Sequence, residues 1–429
     1  MNPLFRLRST LQRLKNHQPT PSLQFTDYPL ETVAESPPLV LKKRDRLAIC
    51  GDSITEQRLY SVLVESYLTI CRPELEISVR HYGWSGEKSG EFLARLETDV
   101  LRFHPTVATT LYGMNDFFYI PYEEEIAADF RRHQEKIIQR FKKADCRVLL
   151  GTPTIIDAVP DWVKTARGSQ YDLNLTLCRY RNLAIHLAKE QDVSCADVYL
   201  PMLQADFAAK RQYGPHFKIA GKDGVHPDWA GQAIIAFVFL KQLGMDGDMG
   251  TLVFDDLTGN HTSTDGHTIL ASEENALRIR SERLPFCPGP GPLDVSDSLR
   301  AGMEWVPFDD ELNRFILRIS SPVAPAYDIT WGGKTTRRYP AEALVAGINL
   351  AKDFQENPLV VPFGEIWNAI ATKQAFETRQ YKEMLNSPEG SREREDAFEL
   401  TEGTRARYLR AIQAARRPMD HEVLIVPAT

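Results

Sequence analysis

Four short blocks hold the side chains with reactive or charge-stabilising chemistry: Gly51-Asp52-Ser53-Ile54-Thr55, Gly83-Trp84-Ser85-Gly86, Gly113-Met114-Asn115-Asp116 and Asp223-Gly224-Val225-His226-Pro227. A serine hydroxyl is a weak nucleophile until a neighbouring imidazole takes its proton, and a carboxylate must orient that imidazole. Ser53, His226 and Asp223 supply these three groups. Attack on an acyl carbon also places negative charge on the former carbonyl oxygen, which calls for pre-placed N–H donors. The backbone amides of Ser53 and Gly86 and the side-chain amide of Asn115 are the candidates. Taken singly, each block also reads as an ordinary turn or helix cap. Their joint occurrence, in this order, is what points to acyl transfer.

Such groups need elements to hold them. Residues 47–50 are an apolar run expected of a strand buried on both faces, and Leu59, Val62, Leu63, Tyr67 and Leu68 then follow at helical spacing. Ser53 therefore falls between a strand and a helix, where open α/β sheets place their sites and where helix-start N–H groups favour negative charge. Further strands are predicted at 77–81, 107–112, 147–150 and 193–198. Phe92, Leu93, Leu96 and Val100 mark a helix, and more helices are predicted at 126–143, 175–189 and 230–243. A long loop at 151–170, with Pro153, Pro160 and Trp162, is a candidate rim or lid. Repeated βα units imply a parallel sheet between helical layers. The loops after the first three strands then share one rim, to which residues 223–227 can return.

The four blocks together resemble the SGNH hydrolases, the GDSL-type esterases and acylhydrolases, over about residues 46–243. That resemblance implies a flavodoxin-like three-layer α/β/α sandwich with Ser53 as nucleophile, His226 as base and Asp223 as its partner. It also implies an oxyanion hole of Ser53, Gly86 and Asn115, with Gly86 preferred over its rival Gly83, and it calls for no cofactor. Asp52 is expected to brace the loop. Thr55 stands where an α/β-hydrolase elbow requires its second glycine, which disfavours that fold.

Beyond Gly250 the pattern changes to short strands (253–256, 267–271, 276–280, 315–319, 327–330, the last two in hairpins), a Pro/Gly-rich segment and helices at 363–385 and 397–416. At 429 residues more than one unit is expected. The division is an N-terminal arm and connector (1–45), a catalytic domain (46–245) and a C-terminal α+β accessory domain (250–429). Residues 327–351 are similar to an accessory region found behind some bacterial members of the family. The first eighteen residues are basic, with Leu4, Leu7, Leu11 and Leu14 on one helical face. They read as an arm docked on its own protein or a subunit, with peripheral membrane contact as the alternative.

A net charge of −7 argues against a general nucleic-acid binder, and no apolar run approaches the length of a membrane span. Six cysteines without a C-x-x-C pair, and no H-E-x-x-H, give no reason to expect disulfides or a metal. The absence of a secretory h-region points to the cytoplasm rather than export. A homo-oligomer is left open. Trp84, Tyr112 and Phe117, with Phe118 and Tyr119, cluster by the catalytic loops as a platform for a sugar or as walls of an acyl pocket. The expected activity is hydrolysis of small acyl esters, acetyl groups on carbohydrate foremost. A lipid or thioester acylhydrolase is the alternative, and a non-catalytic carbohydrate-binding protein the rival of a different class.

Overall fold

The computed structural model describes residues 27–31, 36–273, 275–333 and 335–429. The basic N-terminal arm lies outside the described residues.

The first half is built on one parallel sheet: β1 (Arg46–Gly51), β2 (Ser78–Gly83), β3 (Val107–Leu111), β4 (Arg147–Gly151) and β5 (Ser194–Ala196), in the order β2-β1-β3-β4-β5. Every residue of β3 is buried, as expected of a strand covered on both faces. Helices Tyr60–Ser66, Glu124–Lys143, Gln170–Glu190 and Trp229–Gln242 flank the sheet, giving the expected three-layer α/β architecture. The strand order reverses between β1 and β3, the position at which such sheets open a crevice beyond their carboxyl ends. Helix Gln170–Glu190 begins earlier than its apolar pattern suggests because Ser169 and Asp172 cap it reciprocally. Helix Tyr199–Tyr213 was not expected; its Pro201 lies in the first turn, where no intrahelical N–H is needed.

In the second half, β6 (Asp248–Asp255), β7 (Thr262–Ser263), β10 (Arg314–Ser320) and β13 (Ile348–Asn349) form one sheet, ordered β13-β10-β6-β7. A second, antiparallel sheet is ordered β12-β11-β14-β9-β8, from β8 (His267–Glu273), β9 (Ala276–Ser281), β11 (Ala326–Trp331), β12 (Thr336–Pro340) and β14 (Met419–Ala428). The hairpin expected at Gly332-Gly333 joins β11 to β12. The one expected around β10 does not form: β10 pairs in parallel with the distant β6, a partner that local turn signals cannot indicate. Phe315 of β10 packs on Trp331 of β11 between the sheets (5.7 Å). A buried chain links His267 Nδ1 to Ser281 Oγ (2.8 Å), Ser281 Oγ to His421 Nε2 (2.8 Å) and Trp331 Nε1 to His421 Nδ1 (3.1 Å).

Helices Val360–Arg379 and Arg394–Ala415 lie against the outer edge of β2. The carbonyl of Val79 accepts from Lys373 Nζ (2.8 Å) and Arg405 Nη2 (3.1 Å), and the amide of His81 donates to Glu377 Oε2 (3.1 Å). The Gly83 carbonyl accepts from the Tyr381 hydroxyl. Each alternate residue of the edge strand thus has one backbone group met by a side chain from this segment instead of a sixth strand, which covers that edge. Beneath them Lys373 pairs with Glu65 (2.6 Å), and Arg405 with Glu377 (2.6 Å).

Candidate active site

β1 ends at Gly51, and Asp52 caps the four-residue helix Ser53–Glu56 by accepting the Ile54 amide at 3.0 Å. Burial pushes the Asp52 carboxyl up to about 8, the Ile54 amide opposing the shift and the negative Asp116 and Glu87 adding to it. This puts Ser53 at the head of the helix. Its Oγ lies 2.7 Å from His226 Nε2, and His226 Nδ1 lies 2.7 Å from Asp223 Oδ2. The other carboxylate oxygen of Asp223 accepts the amides of Val225 and His226, both at 2.9 Å. Burial by itself would raise the Asp223 carboxyl. The two amides and the imidazole outweigh it, and the net shift is downward, which favours the ionised form that orients the ring.

Gln232, on the closing helix Trp229–Gln242, ties the serine and histidine loops together. Its Oε1 accepts the Tyr60 amide (3.1 Å), and its Nε2 donates to Gln57 Oε1 (2.8 Å) and the Pro227 carbonyl (3.3 Å). On the other side, Asn115 Nδ2 donates to the Glu87 carbonyl (3.1 Å). Asp116 accepts the amides of Ser89 (2.9 Å) and Gly113 (3.1 Å), locking the loop after β3 onto the loop after β2. Burial pushes the Asp116 carboxyl up to about 6 against these hydrogen bonds. Of the two glycines considered for the second amide, Gly83 has a packing role: a Cβ there would sit 2.3 Å from the Glu56 nitrogen. Gly86 has φ +76° and nothing within 4 Å of a Cβ, so it borders open space.

The family model described as GDSL-like lipase/acylhydrolase matches residues 49–234. Residues 49–234 are a GDSL-like lipase/acylhydrolase domain. The protein is accordingly a carboxylic-ester hydrolase. The GDSL-like region is 24% identical over 225 residues to an acetylxylan esterase from Geobacillus stearothermophilus, covering 47% of this chain and 95% of that protein. A gut microbial diltiazem-metabolizing enzyme shares the fold over 90% of this chain and 98% of its own, with a TM-score of 0.71 at 20% identity. That likeness of fold extends well beyond the GDSL-like domain. The structure of a catalytic mutant of the Geobacillus esterase aligns over 48% of this chain and 96% of its own, at 23% identity and a TM-score of 0.39.

The aromatic residues around the GDSL-like site divide differently from expectation. Tyr112 and Phe117 are each 1% exposed and belong to the core. Tyr112 packs on Phe92 and hydrogen-bonds Glu87, and Phe117 packs on Tyr119 and Tyr180, so neither presents a face to a ligand. Met114 and Tyr119 are buried too, which leaves Phe118, at 46% exposed, as the accessible ring of that loop. Strand-end position alone does not tell an inward ring from an outward one. Trp84 is half-buried, held between Arg95 (5.0 Å) and Lys382 (5.2 Å). The aromatic nearest the chemistry is one the sequence marked only as part of a loop: Trp162, 47% exposed, stacks on the His226 ring at 5.7 Å and 28°. Cavities of about 960, 410 and 290 Å³ lie elsewhere, and none is lined by Ser53, Asn115 or His226. All six cysteines are buried free thiols. Among the described residues no cluster of His, Cys, Asp and Glu is placed to hold a metal, and no helix is long and apolar enough to cross a membrane.

Proposed function

We propose that the protein removes small acyl groups, acetyl foremost, from carbohydrate esters through a Ser53–His226–Asp223 triad. The unbroken hydrogen-bonded chain from Ser53 Oγ through both imidazole nitrogens to Asp223, two links of 2.7 Å, carries this reading. Ser53 Oγ attacks the ester carbon as its proton passes to His226 Nε2, and the carboxylate of Asp223 stabilises the imidazolium. The developing oxyanion is met by the Ser53 and Gly86 amides and by Asn115. The Asn115 amide has two hydrogens; one goes to the Glu87 carbonyl, and the other is left to donate. Collapse of the tetrahedral intermediate expels the alcohol, which takes the proton from His226. Water activated by the same imidazole then releases the acid and restores Ser53.

One observation favours a ring-shaped alcohol. The exposed face of Trp162 beside the imidazole suits stacking against a sugar or aromatic ring. The likeness to an acetylxylan esterase supports an acetyl group on a sugar. The test is a series of p-nitrophenyl esters together with acetylated xylo-oligosaccharides. Acetate should exceed octanoate at least about 10-fold in kcat/KM, a barrier difference of only about 1.4 kcal/mol. A preference for octanoate would instead favour a lipid acylhydrolase.

A further inference from the structure

The turn Gln380–Leu385, which continues the Val360–Arg379 helix, lies outside the residues matched by the GDSL-like family, yet it reaches both loops of the site. Lys382 Nζ donates to Glu56 Oε1 (2.7 Å) and Oε2 (2.9 Å). Glu56 ends the helix that Ser53 begins, and its Oε2 also accepts the Ser85 amide, next to Gly86. The adjacent Tyr381 donates to the Gly83 carbonyl and packs on Trp84 (5.8 Å), while Lys382 sits over the same indole (5.2 Å). One turn earlier, Thr378 Oγ1 meets Arg58 Nη1 (3.3 Å), which also donates to the Glu56 carbonyl (2.9 Å). The half-buried Glu56–Lys382 pair is therefore a bracket across three segments: the nucleophile's helix, the loop after β2 and the C-terminal half.

We propose that Glu56 and Lys382 are positioning residues that fix the Ser85-Gly86 backbone relative to Ser53, so that the C-terminal half sets the geometry of the oxyanion site. The inference rests on Ser53 and the Gly86 amide having the roles given above. Glu56 and Lys382 touch neither acyl group nor alcohol in this scheme; their effect passes through the Ser85 amide. A displaced donor weakens binding of the transition state more than of the ground state, and loss of such alignment costs rate rather than substrate affinity. Neither residue could be paired from sequence, since 326 positions separate them.

The experiment compares wild type, Lys382→Met, Glu56→Gln and the double variant on p-nitrophenyl acetate and on ethyl acetate, with Ser53→Ala as control. Each single variant should lower kcat about 10-fold with KM changed less than about 2-fold, equally for both alcohols. The double variant should lose no more than the worse single, because one bracket is broken once. Affinity for a boronic acid that forms a tetrahedral adduct should fall in step with kcat/KM, a readout that a general loss of stability would not reproduce. Lys382→Met and Glu56→Gln at wild-type kcat, or a loss confined to KM, would overturn the bracket while an inactive Ser53→Ala left the nucleophile standing. An active Ser53→Ala would instead overturn the functional reading beneath it.

Discussion

Replacing Lys373 by Met probes how the C-terminal helices are built into the sheet. Lys373 has no exposed side-chain surface, and its Nζ serves Glu65 (2.6 Å), the Val79 carbonyl (2.8 Å) and Glu377 (3.2 Å). In the variant, Val79 and Glu377 keep Arg405, whereas Glu65 is left with the Gln374 amide at 2.7 Å. Burial already pushes the Glu65 carboxyl upward, with Lys373 foremost among the groups opposing it. Without Lys373 the cheapest response is to take up a proton. From the ordinary value of 4.5 that costs about 3.4 kcal/mol at pH 7, at 1.36 kcal/mol per unit. This lies near the lower end of the roughly 3–5 kcal/mol expected when one partner of a buried pair is removed. The sign follows from linkage: Glu65 is then protonated when folded and ionised when unfolded above 4.5, so the deficit is nearly absent below that pH and grows as pH rises. Urea unfolding followed by tryptophan fluorescence should show a loss of about 3 kcal/mol at pH 7 and about 1 kcal/mol at pH 5. Adding Glu65→Gln should recover most of the loss at pH 7. A deficit under about 1 kcal/mol at pH 7, or one equal at both pH values, would refute the reasoning.

Two further outcomes follow from the site. Asp52 is pushed from 3.8 up to about 8 in the fold, so the contribution of its protonated form to stability is fully present below pH 3.8 and is lost as pH rises towards 8. Asp52→Asn can still accept the Ile54 amide and cannot ionise, so its stability relative to wild type should grow by about 1.4 kcal/mol per pH unit across that window. Parallel urea titrations at pH 5 and 7 would contradict this if the difference stayed constant. Trp162→Ala should lower kcat/KM about 10-fold for p-nitrophenyl acetate and less than about 2-fold for ethyl acetate, because only the first offers a ring to stack. Equal losses would mean that Trp162 serves only to hold the imidazole.

The GDSL-like half was legible because its signals are local. The apolar run at 47–50, the break at Gly51-Asp52-Ser53 and the helical spacing from Leu59 each report on adjacent residues, and the parallel sheet follows from their repetition. That Ser53, Asp223 and His226 would meet was legible because two lie within one turn of chain and the third starts the helix just past a strand. The sequence could not reveal which aromatic rings face inward: Tyr112 and Phe117 share their segments with the exposed Phe118, and burial is decided by the Phe92 and Tyr180 rings packed against them. Contacts between segments far apart in sequence were equally out of reach, among them Gln232 with Gln57, Glu377 with His81 and β10 with β6. Such pairings depend on the assembled sheet, and no periodicity within either segment encodes them. The helix at Tyr199–Tyr213 was missed for a simpler reason, an internal proline that the first turn tolerates.

The central claim is that Ser53 becomes acylated with His226 as its base. Its most direct test is mass spectrometry of the protein after reaction with diethyl p-nitrophenyl phosphate, whose phosphoryl group is retained by an activated serine as p-nitrophenol departs. The account predicts one adduct per chain, located on the peptide containing Ser53, absent in Ser53→Ala and formed at least about 100-fold more slowly in His226→Ala. An adduct on another residue, or Ser53→Ala hydrolysing acetyl esters at the wild-type rate, would contradict it.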